Sequence, residues 1–282
     1  MALAFFRRAL ILVRGGGDLA SGVIYRLHRA GFPVVVTELA NPVLVRRAVC
    51  YGEAIYSSAV KVDGVLARRA ETADDVDKIL ADGAVPVVVD PAGQTIERLN
   101  PVAVVDGRMA KMNLGTRPDD APLVIALGPG FTAGVDCHAV IETNRGHDLG
   151  RVIWQGSAEP DTGEPGIMQG QSYSRVLRAP ARGYVQAYRQ IGDTIEAGQT
   201  IASVNGQPIV AAFNGVLRGL VHEQVRVEAG MKIGDLDPRA RRENCFTISD
   251  KSLAVGGGAL EAVLAAPQVR PYLTGYETPT RV

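Results

Sequence analysis

Six short apolar runs constrain this chain more than any other feature: residues 9–14, 33–39, 86–90, 102–106, 123–127 and 138–142. Their valine and isoleucine content is nearly continuous rather than alternating. That pattern predicts strands covered on both faces, as in a parallel sheet. Between the first two runs, "ASGVIYRLHRAG" places Val23, Leu27 and Ala30 at helical spacing, and Gly31 suits a left-handed helix cap. Strand, glycine turn, helix and strand make a βαβ unit. Further along, "PVLVRRAVC" (42–50) reads as a short helix and "AVKVDGVLARRA" (59–70) as a hairpin turning at Asp63-Gly64. "TADDVDKILADG" reads as a helix with Thr72 as its N-cap.

From about residue 143 the texture changes to Gly, Pro and charge, with one strand in "RVIWQ". An internal repeat follows. Residues 179–204 overlie 211–236 at a constant offset of 32, pairing Ala179 with Ala211, Gly183 with Gly215, Gly198 with Gly230 and Ile201 with Ile233. Neither half has enough strands to bury its own apolar face, so the two are expected to pack as one small β unit. The segment 176–236 resembles the barrel-sandwich hybrid of biotinyl and lipoyl domains. Carriers of that kind present a lysine between their halves, but here the link reads "NGQPIVAA" (205–212). No biotin or lipoate attachment is therefore expected. The tail "ISDKSLAVGGGALEAVL" reads as helix around a second glycine triplet.

The expected architecture is α/β: a Rossmann-like parallel sheet domain over 1–150 and a connecting segment over 151–175. A barrel-sandwich hybrid domain follows over 176–236, and a C-terminal strand and helix over 237–282 pack back on the first domain.

The stretch "LVRGGGDLASG" (12–22) is the leading site candidate. Read as G-x-G-x-x-A, it offers Gly15 for the turn, Gly17 for close backbone approach and Ala20 for helix–strand packing. Amides at Gly16, Gly17, Asp18 and Leu19, at the positive end of a helix, would face a phosphate. Glu38, ending the second strand, would accept hydrogen bonds from ribose hydroxyls. Asp18 leaves the reading open, because a carboxylate there would repel a phosphate or cap the helix itself. Nucleotide cradle and plain structural turn both remain. A second candidate is the "GPGF" loop, where Gly128, Pro129 and Gly130 leave a strand end with amides suited to an anion or a pterin-like ligand. Asp136 and His138 share a strand face and Cys137 points away; His147 would reach the site only through its loop.

Formal charge balances at 30 basic and 30 acidic residues, which argues against nucleic acid and anionic membrane as partners. No apolar run approaches the roughly 20 residues of a membrane-spanning helix, and the arginine-interrupted opening does not read as a signal peptide. Cys50, Cys137 and Cys245 are dispersed, without CxxC or HxxxH spacing. That favours a reducing, cytoplasmic setting without a zinc site.

Three long segments, "RGGGDLASGVIYRLHRAGFPVVVTELANPVLVRRAV", "ALGPGFTAGVDCHAVIETNRGHDLGRVIWQG" and "ENCFTISDKSLAVGGGALEAVL", resemble the accessory family of the selenium-dependent molybdenum hydroxylase system, the YqeB-type proteins. The resemblance implies a role in maturing a molybdenum hydroxylase client, with a nucleotide or molybdopterin-type ligand as the bound group. An NAD(P)-dependent oxidoreductase, with His138 or His147 as proton donor, and a non-catalytic docking scaffold are the alternatives.

Overall fold

The computed structural model describes residues 5–161 and 173–273. The rest of the 151–175 connection and the last nine residues of the tail lie outside the described residues.

The N-terminal part builds a nine-stranded sheet from β1 (Ile11–Arg14), β2 (Val34–Glu38), β3 (Ala59–Val62), β4 (Val65–Ala70), β5 (Val85–Val89), β6 (Ala103–Asp106), β7 (Leu123–Leu127), β9 (Ala139–Ile141) and β10 (Val152–Ile153). The order is β10-β9-β7-β6-β1-β2-β5-β4-β3. The inner seven strands are parallel, while β3 and β10 close the edges antiparallel. Two short strands, β8 (Thr132–Ala133) and β11 (Gly156–Ser157), pair beside it.

The expected Rossmann-like parallel domain followed by a biotinyl-like one is therefore corrected. The sheet is mixed, and its connections do not alternate strand with helix. Helix α1 (Asp18–Arg29) joins β1 to β2, α3 (Ala73–Ala81) joins β4 to β5, and α4 (Gln94–Leu99) joins β5 to β6. No α-helix lies between β6 and β7, where there is only a 3₁₀ turn at Pro118–Asp120, or between β7 and β9. That half of the sheet is covered instead by α5 (Asp250–Ala265), which arrives from the far end of the chain. Valine-rich runs report only that both faces are covered, not by which segment. The helix expected over 42–50 is likewise absent. Two 3₁₀ turns, Arg47–Val49 and Tyr51–Glu53, take its place before the four-residue α2 (Ala54–Ser57).

The repeat appears as two four-stranded antiparallel sheets. One runs β12 (Val176–Arg178), β19 (Lys232–Asp237), β17 (Gly215–Leu220), β14 (Thr194–Ile195). The other runs β16 (Gln207–Val210), β15 (Thr200–Val204), β13 (Gly183–Ala187), β18 (Arg226–Val227). Each sheet takes strands from both halves of the repeat, so neither half completes a sheet alone. This β unit is fastened to the large sheet rather than standing free. A Cβ on Gly219 would lie 2.6 Å from the Val45 carbonyl, and Arg47 Nε donates to Leu220 O at 3.1 Å. The Tyr56 and His222 rings stack at 3.9 Å.

The glycine triplet in α5 is explained by packing. A Cβ on Gly22 of α1 would lie 1.9 Å from Ser252 O, and one on Gly256 would lie 2.3 Å from Gly22 O. The two helices thus cross backbone to backbone, which only glycine permits. Gly258 does the same against Gly150, whereas Gly257 faces open space. Among the described residues no helix is long and apolar enough to cross a membrane.

Candidate functional site

The carboxyl ends of β1, β2, β5 and β6 open into a cavity of about 700 Å³. Its far wall is the β unit, through Lys232 and Asp235. Much of the lining is apolar, with Leu19, Leu39, Leu44, Met109 and Leu114 among its residues. Its position at the strand ends is where open α/β sheets commonly receive ligands.

The three glycines of the opening stretch have three different surroundings. Gly15 sits at φ +90°, and a Cβ there would press on Arg108 at 3.1 Å. That pairing of left-handed backbone and close approach accepts only glycine. Gly16 is sealed into protein: a Cβ would meet Gly52 N at 2.5 Å, and its carbonyl accepts from Gly52 N at 2.9 Å. Gly17 is the N-cap of α1 at φ −73°, with no side-chain cap. The nearest atom to a Cβ there is Leu44 Cδ2 at 3.9 Å. Gly15, Gly17, Asp18, Leu19 and Glu38 line the cavity; Gly16 and Ala20 do not. Ala20 is fully buried, 2.8 Å from where a Gly107 Cβ would stand.

Glu38 and Asp18 are already engaged. Glu38 Oε1 accepts from the Gly16 amide at 2.7 Å and Oε2 from Leu39 N at 2.9 Å, so the carboxylate latches the glycine turn to the end of β2. Burial raises its pKa, despite those two amides. A carboxyl whose pKa rises on folding stabilises most when protonated, and that contribution is lost as pH climbs through the folded pKa. Glu38→Gln keeps an acceptor for Gly16 and removes the buried charge. Its melting temperature relative to the parent should therefore rise as pH goes from about 4 to about 7; a constant difference across that range would contradict this placement. Asp18 neither caps α1 nor stands free. Arg46 Nη1 donates to both its oxygens at 2.9 Å, and Ser252 Oγ donates to Oδ1 at 3.0 Å. The repulsion expected between Asp18 and an anion is thus offset by a buried guanidinium.

The basic residues of the cavity, which face Asp18, Glu38, Asp90 and Asp235 across it, were not visible in the sequence. Arg14, at the end of β1, is 7% exposed and donates to Thr116 Oγ1 at 2.9 Å. The Thr116 hydroxyl in turn donates to Asp106 Oδ2 at 2.6 Å, and Arg108 Nη2 donates to the same oxygen at 2.6 Å. Burial first, then the neighbouring Arg108, push the Arg14 pKa down. The two guanidiniums stand side by side at the cavity wall, Arg108 paired with Asp106 and Arg14 3.9 Å from Asp120, and donors left over from those pairs suit an anionic guest. Lys232 adds an ammonium with no ion pair among the described residues. The signal in sequence would have been Arg14 closing β1 and Arg108 two residues past β6, meaningful only once those strands are known to be neighbours.

The "GPGF" loop lies elsewhere. Gly128 and Gly130 line neither cavity and pack on Thr143 and on the Lys111–Met112 backbone, while Pro129 reaches a second, smaller cavity. The expected free amides are largely consumed. Gly128 N donates to Ile141 O, Gly134 N to Cys137 O, and Thr132 N to Asp136 Oδ2 at 2.8 Å. Asp136 and His138 do not share a strand face, since β9 begins only at Ala139. His138 Nδ1 accepts from Val124 N at 2.9 Å, and burial lowers its pKa. His147 is exposed, and neither histidine is among the residues lining these two cavities. All three cysteines are buried; burial pushes Cys137 up to about 12. Among the described residues no cluster of His, Cys, Asp and Glu is placed to hold a metal.

No family model matches the chain. Over 255 residues, 90% of its length, it is 47% identical to the YqeB protein of Escherichia coli (strain K12). The chain is similar to that protein over this span and covers about half, 47%, of its length. Among solved structures it overlaps an aspartoacylase family protein of Mesorhizobium loti MAFF303099 at 12% identity, over 81% of this chain and 84% of that one, with a TM-score of 0.24. It also overlaps a succinylglutamate desuccinylase/aspartoacylase of Rhodobacter sphaeroides at 13% identity, with the same coverage and a TM-score of 0.27.

Proposed function

We propose that the large cavity binds an anionic nucleotide, of NAD(P)-like or molybdopterin type, on behalf of a molybdenum hydroxylase whose maturation this protein assists. The observation that carries the ligand half is the Arg14–Arg108 pair, set at the strand ends beside a helix start that no side chain caps. The ring system would lie on the leucine and methionine wall, and the anionic group would be met by Arg14, Lys232 and the first-turn amides of α1. Glu38, with lone pairs beyond those taken by Gly16 and Leu39, remains within reach of a ribose. The maturation half rests on the family resemblance, and the outer face of the β unit is the surface assigned to the client. Co-purification with a molybdenum hydroxylase tests that half.

Neither His138 nor His147 stands beside the cavity, so the binding reading is favoured over hydride transfer. Calorimetry decides the ligand half. Arg14→Met should weaken nucleotide affinity by about tenfold to 100-fold, the loss of one charge-assisted donor to a phosphate. Unchanged affinity in a folded variant would contradict the site.

A further inference from the structure

The second cavity, about 330 Å³, adjoins the first and shares Asp18, Leu19, Arg46 and Met109 with it. Its lining is unlike that of its neighbour: seven cationic side chains face four acidic ones. Several of the cations are satisfied. Arg46 holds Asp18, Arg145 holds Asp250 through both Nη atoms at 2.8 and 2.9 Å, and Arg239 holds Asp237 at 2.6 Å.

Two are held less closely. Arg218 is 8% exposed, and its one hydrogen bond among the described residues runs from Nε to Asn244 O, at 3.4 Å. Its nearest carboxylates, on Asp237 and Asp235, stay at 3.7 and 3.8 Å, and its Nη atoms donate to nothing among the described residues. Burial and then the adjacent Arg46 depress its pKa. Lys251, in the first turn of α5, has no carboxylate within salt-bridge distance among the described residues. Burial and then Arg145 hold its pKa down. A guanidinium whose terminal nitrogens line a cavity offers charge-assisted donors to an anion. Here one sits with an unpaired ammonium, between the positive ends of two helices, α1 and α5.

We infer that the second cavity is a subsite for the outer phosphate of a diphosphate, and that the ligand is a nucleoside diphosphate or dinucleotide. Its ring and inner phosphate lie in the first cavity, and its outer phosphate passes Asp18–Arg46 to reach Arg218 and Lys251. The inference rests on the nucleotide reading of the first cavity and extends it to a substrate class. A nucleoside monophosphate is too short in charge to use both cavities. Asp250 competes with the diphosphate for Arg145, so it works against binding.

The test compares AMP with ADP, and inorganic pyrophosphate alone, by calorimetry on the full chain. ADP should bind about tenfold tighter than AMP, in keeping with one added set of charge-assisted contacts. Lys251→Ala should erase most of that ratio. Asp250→Asn should raise it severalfold, a gain that misfolding does not produce. Equal affinities for AMP and ADP, or a ratio indifferent to both substitutions, would overturn the inference. Pyrophosphate separates the two claims. If it binds in a Lys251-dependent way while AMP fails, the nucleotide reading is lost and the subsite stands. If AMP binds while pyrophosphate is indifferent to Lys251, the subsite is lost and the nucleotide reading stands.

Discussion

Gly17→Leu should abolish nucleotide binding, by about 100-fold or more, while the unliganded protein keeps its fold. The reason is that Gly17 is the glycine of the triplet whose missing side chain points into room. Its φ of −73° suits any residue, and only Leu44 Cδ2, at 3.9 Å, stands near the Cβ position. A leucine there fills space that the ligand would occupy. Losing a favourable N-cap residue costs about 1 kcal/mol, against about 2.8 kcal/mol for a 100-fold loss of affinity. Gly16→Ala is the informative contrast. Its added methyl meets the Gly52 backbone at 2.5 Å, so the expected result is a lower melting temperature rather than a selective binding defect. Titration and thermal melts on both variants check the pair. If Gly17→Leu binds as well as the parent, the cradle reading fails and the turn is structural.

Gly22→Val should be the most damaging single change to stability, by about 3 kcal/mol or more. A Cβ at Gly22 would lie 1.9 Å from Ser252 O, and Gly256 returns the contact at 2.3 Å, so the α1–α5 crossing has backbone on both sides and nothing soft to yield. The helices would have to separate, opening the core that Val23, Val255, Ala259 and Val263 share. In a chain of this size the melting temperature should fall by about 6–12 °C. The control lies on the same helix. Gly257 faces open space, so Gly257→Ala should stabilise by about 0.5–1 kcal/mol through helix propensity alone. If both changes behave alike in a melt, the crossing is not held by close backbone contact.

The same crossing explains why part of the site could be read in the sequence and part could not. The β1 turn was legible because its elements are consecutive: strand, three glycines, helix, strand and Glu38 fall within 28 residues. Which glycine faces the ligand was not, since Gly16 and Gly17 differ only in their contacts with Gly52 and Leu44, brought in by the 42–53 segment. The gathering of basic side chains was hidden for a stronger reason. Arg14, Arg46, Arg108, Arg218, Lys232 and Lys251 come from six separate stretches, and net neutrality of the chain conceals their convergence. The sheet's valine runs announced burial on both faces, but the covering helix comes from residues 250–265, so local alternation of strand and helix was a poor guide to topology. The "GPGF" loop misled because free amides in a glycine-rich turn look alike on paper, whether open or, as here, taken up by Asp136 and neighbouring carbonyls.

The most direct measurement is a calorimetric titration of the unmodified full chain with NAD, NADP, AMP, CTP and molybdopterin nucleotides at low ionic strength. The account predicts one-to-one binding of at least one of them, weakening as salt is raised because charged contacts dominate. If none binds at millimolar concentration, the cavity between the strand ends and the β unit is not a nucleotide site.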